Sequence, residues 1–192
     1  MMAENSPPWV ISLNGFSGVG KMTVARALVR SLVNARLIDN HTYMDAAFAL
    51  FPVGSPEWRT LTATLREKVY DAAEQTEPGA TLVFTNVLYD GRDDRDIFEQ
   101  IARVAQRRGC PLLAVTLTCS REAHRRRLTR RRTPNKLTRW RRMEAILDVF
   151  DLLRPDCGDV ADLEIDTTEM TADETAARIA AALPCSASTV DG

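Results

Sequence analysis

Short apolar runs alternate along the chain with stretches of helical spacing. Trp9-Val10-Ile11-Ser12-Leu13 is an apolar run that stops at Asn14-Gly15, which predicts a strand buried on both faces. After Lys21 the spacing turns helical, with Val24, Leu28 and Leu32 on one face. Ala35 to Ile38 reads as a second strand, and Thr42 to Phe51 as a helix stopped by Pro52 and Gly54. Ser55 as N-cap and Pro56 at the first helical position open a further helix. Its apolar stripe is Trp58, Leu61, Leu65, Val69 and Ala72, and Pro78-Gly79 ends it. Thr81 to Thr85, rich in β-formers, is a third strand. Asp93 to Arg108 is an amphipathic helix closed by Gly109 and Pro111, and Leu112 to Leu117 is a fourth strand. Ser120 caps another helix, Leu137 to Leu153 forms one more before Pro155, and Asp162 to Ile165 is the last strand. Thr171 and Glu174 have the spacing of a capping box at the head of the final helix.

Five strands alternating with helices define an α/β chain with a mostly parallel sheet covered on both faces. At 192 residues it reads as one domain, spanning 9–183, between a disordered lead-in at 1–8 and a disordered tail at 184–192. The helical stretch 42–78 and the basic stretch 121–142 read as two flaps over one site. No apolar run approaches the ~20 residues of a membrane span, and the first residues lack the pattern of a signal peptide. Cys110, Cys119, Cys157 and Cys185 have no paired spacing, and only His41 and His124 could join them, so no structural metal site is expected. Scattered cysteines fit a reducing cytoplasm.

Chemistry enters with Gly15-Phe16-Ser17-Gly18-Val19-Gly20-Lys21, between the first strand and the first helix. Glycines at these places let backbone N–H groups turn inward around phosphate oxygens, while the helix dipole faces the same anion. Lys21 adds a charge that can reach the outer phosphates. The usual pattern has Ser or Thr directly after the lysine as a Mg²⁺ ligand. Here that residue is Met22, and the hydroxyl comes one place later at Thr23. Asp39 follows the second strand at the carboxyl edge, where open α/β sheets bind ligands, and either acts on a ligand or caps the next helix.

The net charge of −1 conceals a strong segregation. Residues 121–142 contain ten arginines, one lysine and one acid, for a local net of +10, so the rest of the chain carries −11. Most of these arginines read as a solvated face, but Arg127, Arg130 and Arg131 lie within about one helical turn, and guanidinium forks suit phosphate oxygens. Nucleic-acid binding is the rival explanation; against it, only Trp140 interrupts the run as a stacking platform and the chain as a whole is slightly acidic.

The loop, Asp39, the basic segment and Ile165-Asp166-Thr167-Thr168 together resemble the P-loop kinases of the shikimate, gluconate and adenylate kinase group over roughly Pro8 to Leu183. Adenylate kinases likewise carry Gly-Lys-x-Thr. The resemblance implies a three-layer P-loop NTPase fold, a five-stranded parallel sheet with a helical acceptor-binding insert and a basic lid. It implies ATP and Mg²⁺ as cofactors, with nucleotide on Gly15 to Thr23, Arg130 and Thr167. Lys21, Arg127 and Arg131 would steady the transferring phosphoryl group, and Asp39 would orient the acceptor hydroxyl. Thr23 and Asp39 are the candidates near Mg²⁺, Asp39 through water. His41 contacts substrate or serves structure, and Asn86 binds acceptor or forms a turn.

The function expected is phosphoryl transfer from ATP to a hydroxyl of a small molecule. A nucleoside or nucleotide kinase, with Arg59, Arg66 or Arg92 gripping an acceptor phosphate, stays open. So does an ATP-binding switch with little turnover. The partner expected is a small-molecule acceptor, with no membrane and no nucleic acid, for a monomer or homodimer.

Overall fold

A computed structural model describes residues 7–130, 140–155 and 160–183. Most of the expected lead-in, the whole expected tail, Arg131, Cys157 and Cys185 lie outside these residues.

Five parallel strands form one sheet in the order β2-β3-β1-β4-β5: β1 Val10–Asn14, β2 Ala35–Asp39, β3 Thr81–Thr85, β4 Leu112–Thr118 and β5 Ala161–Asp166. The central strands β1 and β3 are buried at every position. Their side chains alternate between two cores, as the two-residue repeat of a strand requires. Leu82 and Phe84 of β3 join one core and Val83 the other; Val10 of β1 joins the first, Ile11 and Leu13 the second.

One face is covered by α1 (Lys21–Ser31) and α7 (Ala172–Ala181), through Val24, Leu28, Ala176 and Ile179. The opposite face carries α3 (Pro56–Glu74) and α4 (Arg92–Arg108), through Tyr70, Ala73, Phe98, Ile101 and Val104. Gly109 ends α4 with φ 62°, as expected of a left-handed C-cap. Arg108 then reaches across to α3. Its Nη1 donates to Ala73 O at 3.2 Å and Thr76 O at 2.7 Å, and its Nη2 to Glu77 O at 3.1 Å and Ala80 O at 2.8 Å. One guanidinium thus ties the end of α4 to the last turn of α3 and to the segment that leads from it into β3.

The structure corrects two readings of the helices. The stripe expected on α3 is only half-buried at Trp58, Leu61, Leu65 and Val69, and Ala72 is exposed; the buried positions are Thr62, Tyr70 and Ala73. The inward face is therefore rotated toward polar residues, which apolar counting cannot detect. The helix expected to run to Leu153 is α6, Trp140–Leu147, and its proposed start at 137 lies outside the described residues. The chain leaves the helix because it pairs elsewhere: Leu152 bridges to Tyr89, Asp90 N donates to Asp151 O at 2.9 Å, and Leu153 N to Leu88 O at 2.9 Å.

Candidate active site

The phosphate-type loop lies at the carboxyl edge of the sheet where β1 separates β3 from β4, the place at which crossovers change direction and leave a crevice. All three of its glycines, Gly15, Gly18 and Gly20, sit at positive φ. Gly20, at the N-cap of α1, has φ 116° and open space where a side chain would stand. Gly18 has φ 100°, and a Cβ there would come within 2.6 Å of Leu128 Cδ2 and 3.2 Å of His124 Nε2. Lys21 Nζ donates to Gly15 O at 2.5 Å and Phe16 O at 3.1 Å, so the ammonium is folded against the loop's own carbonyls.

The loop is held from behind by groups that carry no pattern in the sequence. Buried Asn14 Oδ1 accepts from Gly15 N and Leu88 N, each at 2.8 Å, while its Nδ2 donates to Leu88 O at 3.0 Å and Leu153 O at 3.2 Å. On helix α5 (Arg121–Thr129), capped by Ser120 Oγ as expected, His124 is buried with Nε2 2.8 Å from Ser17 O. Its ring meets Trp140 edge-on at 6.0 Å, so the one aromatic of the basic run packs inward.

Arg127, on the same helix, places Nη1 2.9 Å from both Val19 O and Thr167 Oγ1, and Nη2 2.5 Å from Thr167 O. It joins the phosphate-type loop to the loop after β5. Thr167 in turn donates to Thr118 O at 2.9 Å, and Thr168 bonds Asp166 through both its N–H and its hydroxyl. Those bonds hold the Asp166 carboxyl below its usual range. Cys119 is half-buried in the same region, and burial pushes its thiol up.

Two clefts flank the loop. One, of about 320 Å³, is lined by Gly18, Val19, Thr23, Arg127, Thr167 and Met170. The other, of about 40 Å³, is lined by Ser17, Lys21, Met22, Asp39, His41 and Thr85, among others. The structure thus brings together Lys21, Asp39 and His41, and places Thr167 and Arg127 on the opposite side. Thr23 belongs to the first cleft, so of the two residues after Lys21 it is Met22 that lines the cleft with Asp39. Asn86 is 4 % exposed and lines neither; its side chain lies toward Tyr70. Arg130 ends α5, and Arg131 lies outside the described residues.

Asp39 stands at the N-cap of helix α2 (Asn40–Leu50), yet its side chain makes no capping bond. Oδ1 accepts instead from Thr85 Oγ1 at 2.7 Å, across the register pair that ends β2 and β3. His41 Nδ1 lies 3.6 Å from Asp45 Oδ1, one turn along α2. Among the described residues no cluster of three or more His, Cys, Asp or Glu could hold a metal, and no helix is long and apolar enough to cross a membrane.

The fold is that of solved P-loop kinases. The APS kinase of Mycobacterium tuberculosis, in complex with AMPPNP and APS, superposes with a TM-score of 0.60 at 17% identity, over 92% of this chain and 98% of that one. The shikimate kinase of Acinetobacter baumannii, in complex with shikimate, gives 0.56 at 18% identity over 92% of each chain. The tunicamycin resistance protein of Deinococcus radiodurans gives 0.57 at 23% identity, over 94% of this chain and 98% of that one. A search of curated protein sequences returns no significant match. The sequence itself matches the family model described as an AAA domain over residues 10–153, from the first residue of β1 to Leu153, and the chain belongs to that family.

Proposed function

We propose that this protein is an ATP-dependent phosphotransferase that moves the γ-phosphate of ATP to a hydroxyl group of a small molecule. The observation that carries the reading is that Lys21 and Asp39 line one cleft, with the Asp39 carboxylate oriented by Thr85 and free of a capping role.

The phosphates would lie in the loop from Gly15 to Gly20, on the backbone N–H groups and the positive end of α1. The adenine would enter the cleft beside Thr167 and Met170, with Thr23 and Arg130 on the nucleotide side. The Lys21 ammonium would exchange its loop carbonyls for phosphate oxygens. Asp39 would accept the proton of the attacking hydroxyl as its oxygen bonds to the γ-phosphorus and the bond to the ADP oxygen breaks. Arg127, at the root of the 121–142 lid, would hold the loop in shape and offer charge to the transferring group. The helices within 42–78 would bind the acceptor, alongside His41.

Mg²⁺ fits this donor set sparingly. One carboxylate, Asp39, faces the phosphate side and Met22 supplies no oxygen, so the ion would be held by phosphates and waters with Asp39 reaching it through water. When bound, it neutralises charge on the phosphates.

An acceptor screen coupled to ADP detection tests the reading. ADP release should rise sharply with the right alcohol and fall by at least about tenfold in Asp39→Ala. Undiminished turnover in that variant would remove Asp39 from the chemistry, and normal ATP binding by Lys21→Ala would sink the loop assignment.

A further inference from the structure

Helix α5 turns one side toward the phosphate-type loop. His124, Arg127 and Leu128 are spaced as neighbours on one helical face. Leu128 is fully buried and His124 is 2 % exposed. The packing is close, since Gly18 leaves no room for a side chain against Leu128 and His124. From this face His124 Nε2 reaches Ser17 O and Arg127 Nη1 reaches Val19 O, so two polar side chains take alternate carbonyls of the loop. A carbonyl oxygen can only accept, so Nε2 carries the proton in the first of these bonds.

Each bond also fixes the other half of its peptide. The C=O and N–H of a trans peptide point in opposite directions, and among the described residues no peptide is cis. With Ser17 O drawn to His124, the N–H of Gly18 is turned away from that ring. With Val19 O drawn to Arg127, the N–H of Gly20 is turned away from the guanidinium. Among the described residues neither N–H donates a hydrogen bond, whereas Val19 N between them donates to Phe16 O at 3.2 Å. Gly18 and Gly20 line both clefts. Backbone N–H groups left open in this way make a concave site for an anion. Glycines at φ 100° and 116° give the loop its shape, but without a Cβ they also let its peptides turn over. The two bonds from α5 remove that freedom, and an anion gains most from donors that need no reorientation.

We propose that His124 is a positioning residue for phosphate binding: its bond to Ser17 O sets the peptide so that Gly18 N–H meets the phosphates, as Arg127 sets Gly20 N–H through Val19 O. The inference rests on the reading of the loop as the phosphate site of a nucleotide, and it is tested by binding. Backbone amide resonances of the full chain are followed while AMPPNP, or adenosine as a control without phosphates, is titrated in. The Gly18 and Gly20 amides should move downfield with AMPPNP and stay still with adenosine. His124→Phe keeps a ring and removes the donor. In it the Gly18 response should vanish while that of Gly20 persists. AMPPNP affinity should fall at least about tenfold, with adenosine affinity changing less than about twofold. His124→Gln, which returns an N–H donor at similar reach, should recover most of both.

A Gly18 amide unmoved by AMPPNP bound to the wild type would overturn the role, and that measurement depends on no variant folding. So would wild-type AMPPNP affinity in His124→Phe. A His124→Gln variant no better than His124→Phe would reduce the histidine to a packing residue. If Gly18 responds but no alcohol stimulates ADP release, the positioning role stands and the phosphotransferase reading falls. If an alcohol stimulates ADP release while the Gly18 amide stays still, the reverse holds.

Discussion

The bond from Thr85 Oγ1 to Asp39 is short, half-buried and made to a charged acceptor, which places it among the stronger kinds of hydrogen bond. Thr85 touches no reacting atom in the proposed chemistry; it fixes the direction of the carboxylate that does. Thr85→Val keeps the shape and removes only the hydroxyl. A charged hydrogen bond of about 1.5–3 kcal/mol predicts a fall in kcat of roughly tenfold or more, with KM for ATP unchanged. Steady-state kinetics of acceptor-stimulated ADP release checks this, and a change confined to KM for ATP would contradict the positioning role. The sequence singled out Asp39 but left its role divided between chemistry and capping. The missing fact was the register of β2 on β3, which places residues 46 apart in contact.

At the level of elements, α7 begins with the capping box that spacing alone announced. Thr171 Oγ1 accepts from Glu174 N at 3.2 Å, and Glu174 Oε2 accepts from Thr171 N at 2.8 Å. The Thr171 backbone and side-chain bonds hold the Glu174 carboxyl below the usual glutamate range. A carboxylate lowered in the folded state stabilises the protein above its unfolded value, and that contribution is lost as pH falls through the folded value. Thermal unfolding of Glu174→Gln should therefore lie below wild type at neutral pH and converge with it on acidification. A gap that stays constant down the acid limb would show that the charge plays no part. Capping boxes are legible because they are local. The end of α6 was not, because the pairing of 151–153 with 88–90 joins segments far apart in the chain.

Across the whole molecule, Asn14 is the point where separate parts meet. Its side chain ties the start of the phosphate-type loop to Leu88, 74 residues away, and to Leu153, 139 residues away. Asn14→Ala strands the buried N–H groups of Gly15 and Leu88 and takes a donor from the Leu153 carbonyl, while Leu88 O keeps Leu153 N. The expected loss is about 3 kcal/mol, or roughly 10 °C in Tm for a chain of this size, with weakened ATP binding. Calorimetry and nucleotide titration measure both, and a shift within about 1 °C would refute the tie.

The sequence by itself determined the α/β class, all five strands, the phosphate-type loop and the caps at Ser55, Ser120 and Thr171. These depend on periodicity and on neighbours within a few residues, where steric and hydrogen-bonding rules act directly. Only the tertiary structure decided which charged and polar side chains work together. It turned Asn86 away from the clefts, set Thr23 and Met22 on opposite sides of the loop, and fastened the loop to α5 through His124 and Arg127. It also rotated α3 so that Thr62 and Tyr70, rather than its leucines, are buried. The physical reason is that a buried polar group must be matched by whatever the fold brings near it, and no local pattern along the chain records that neighbour.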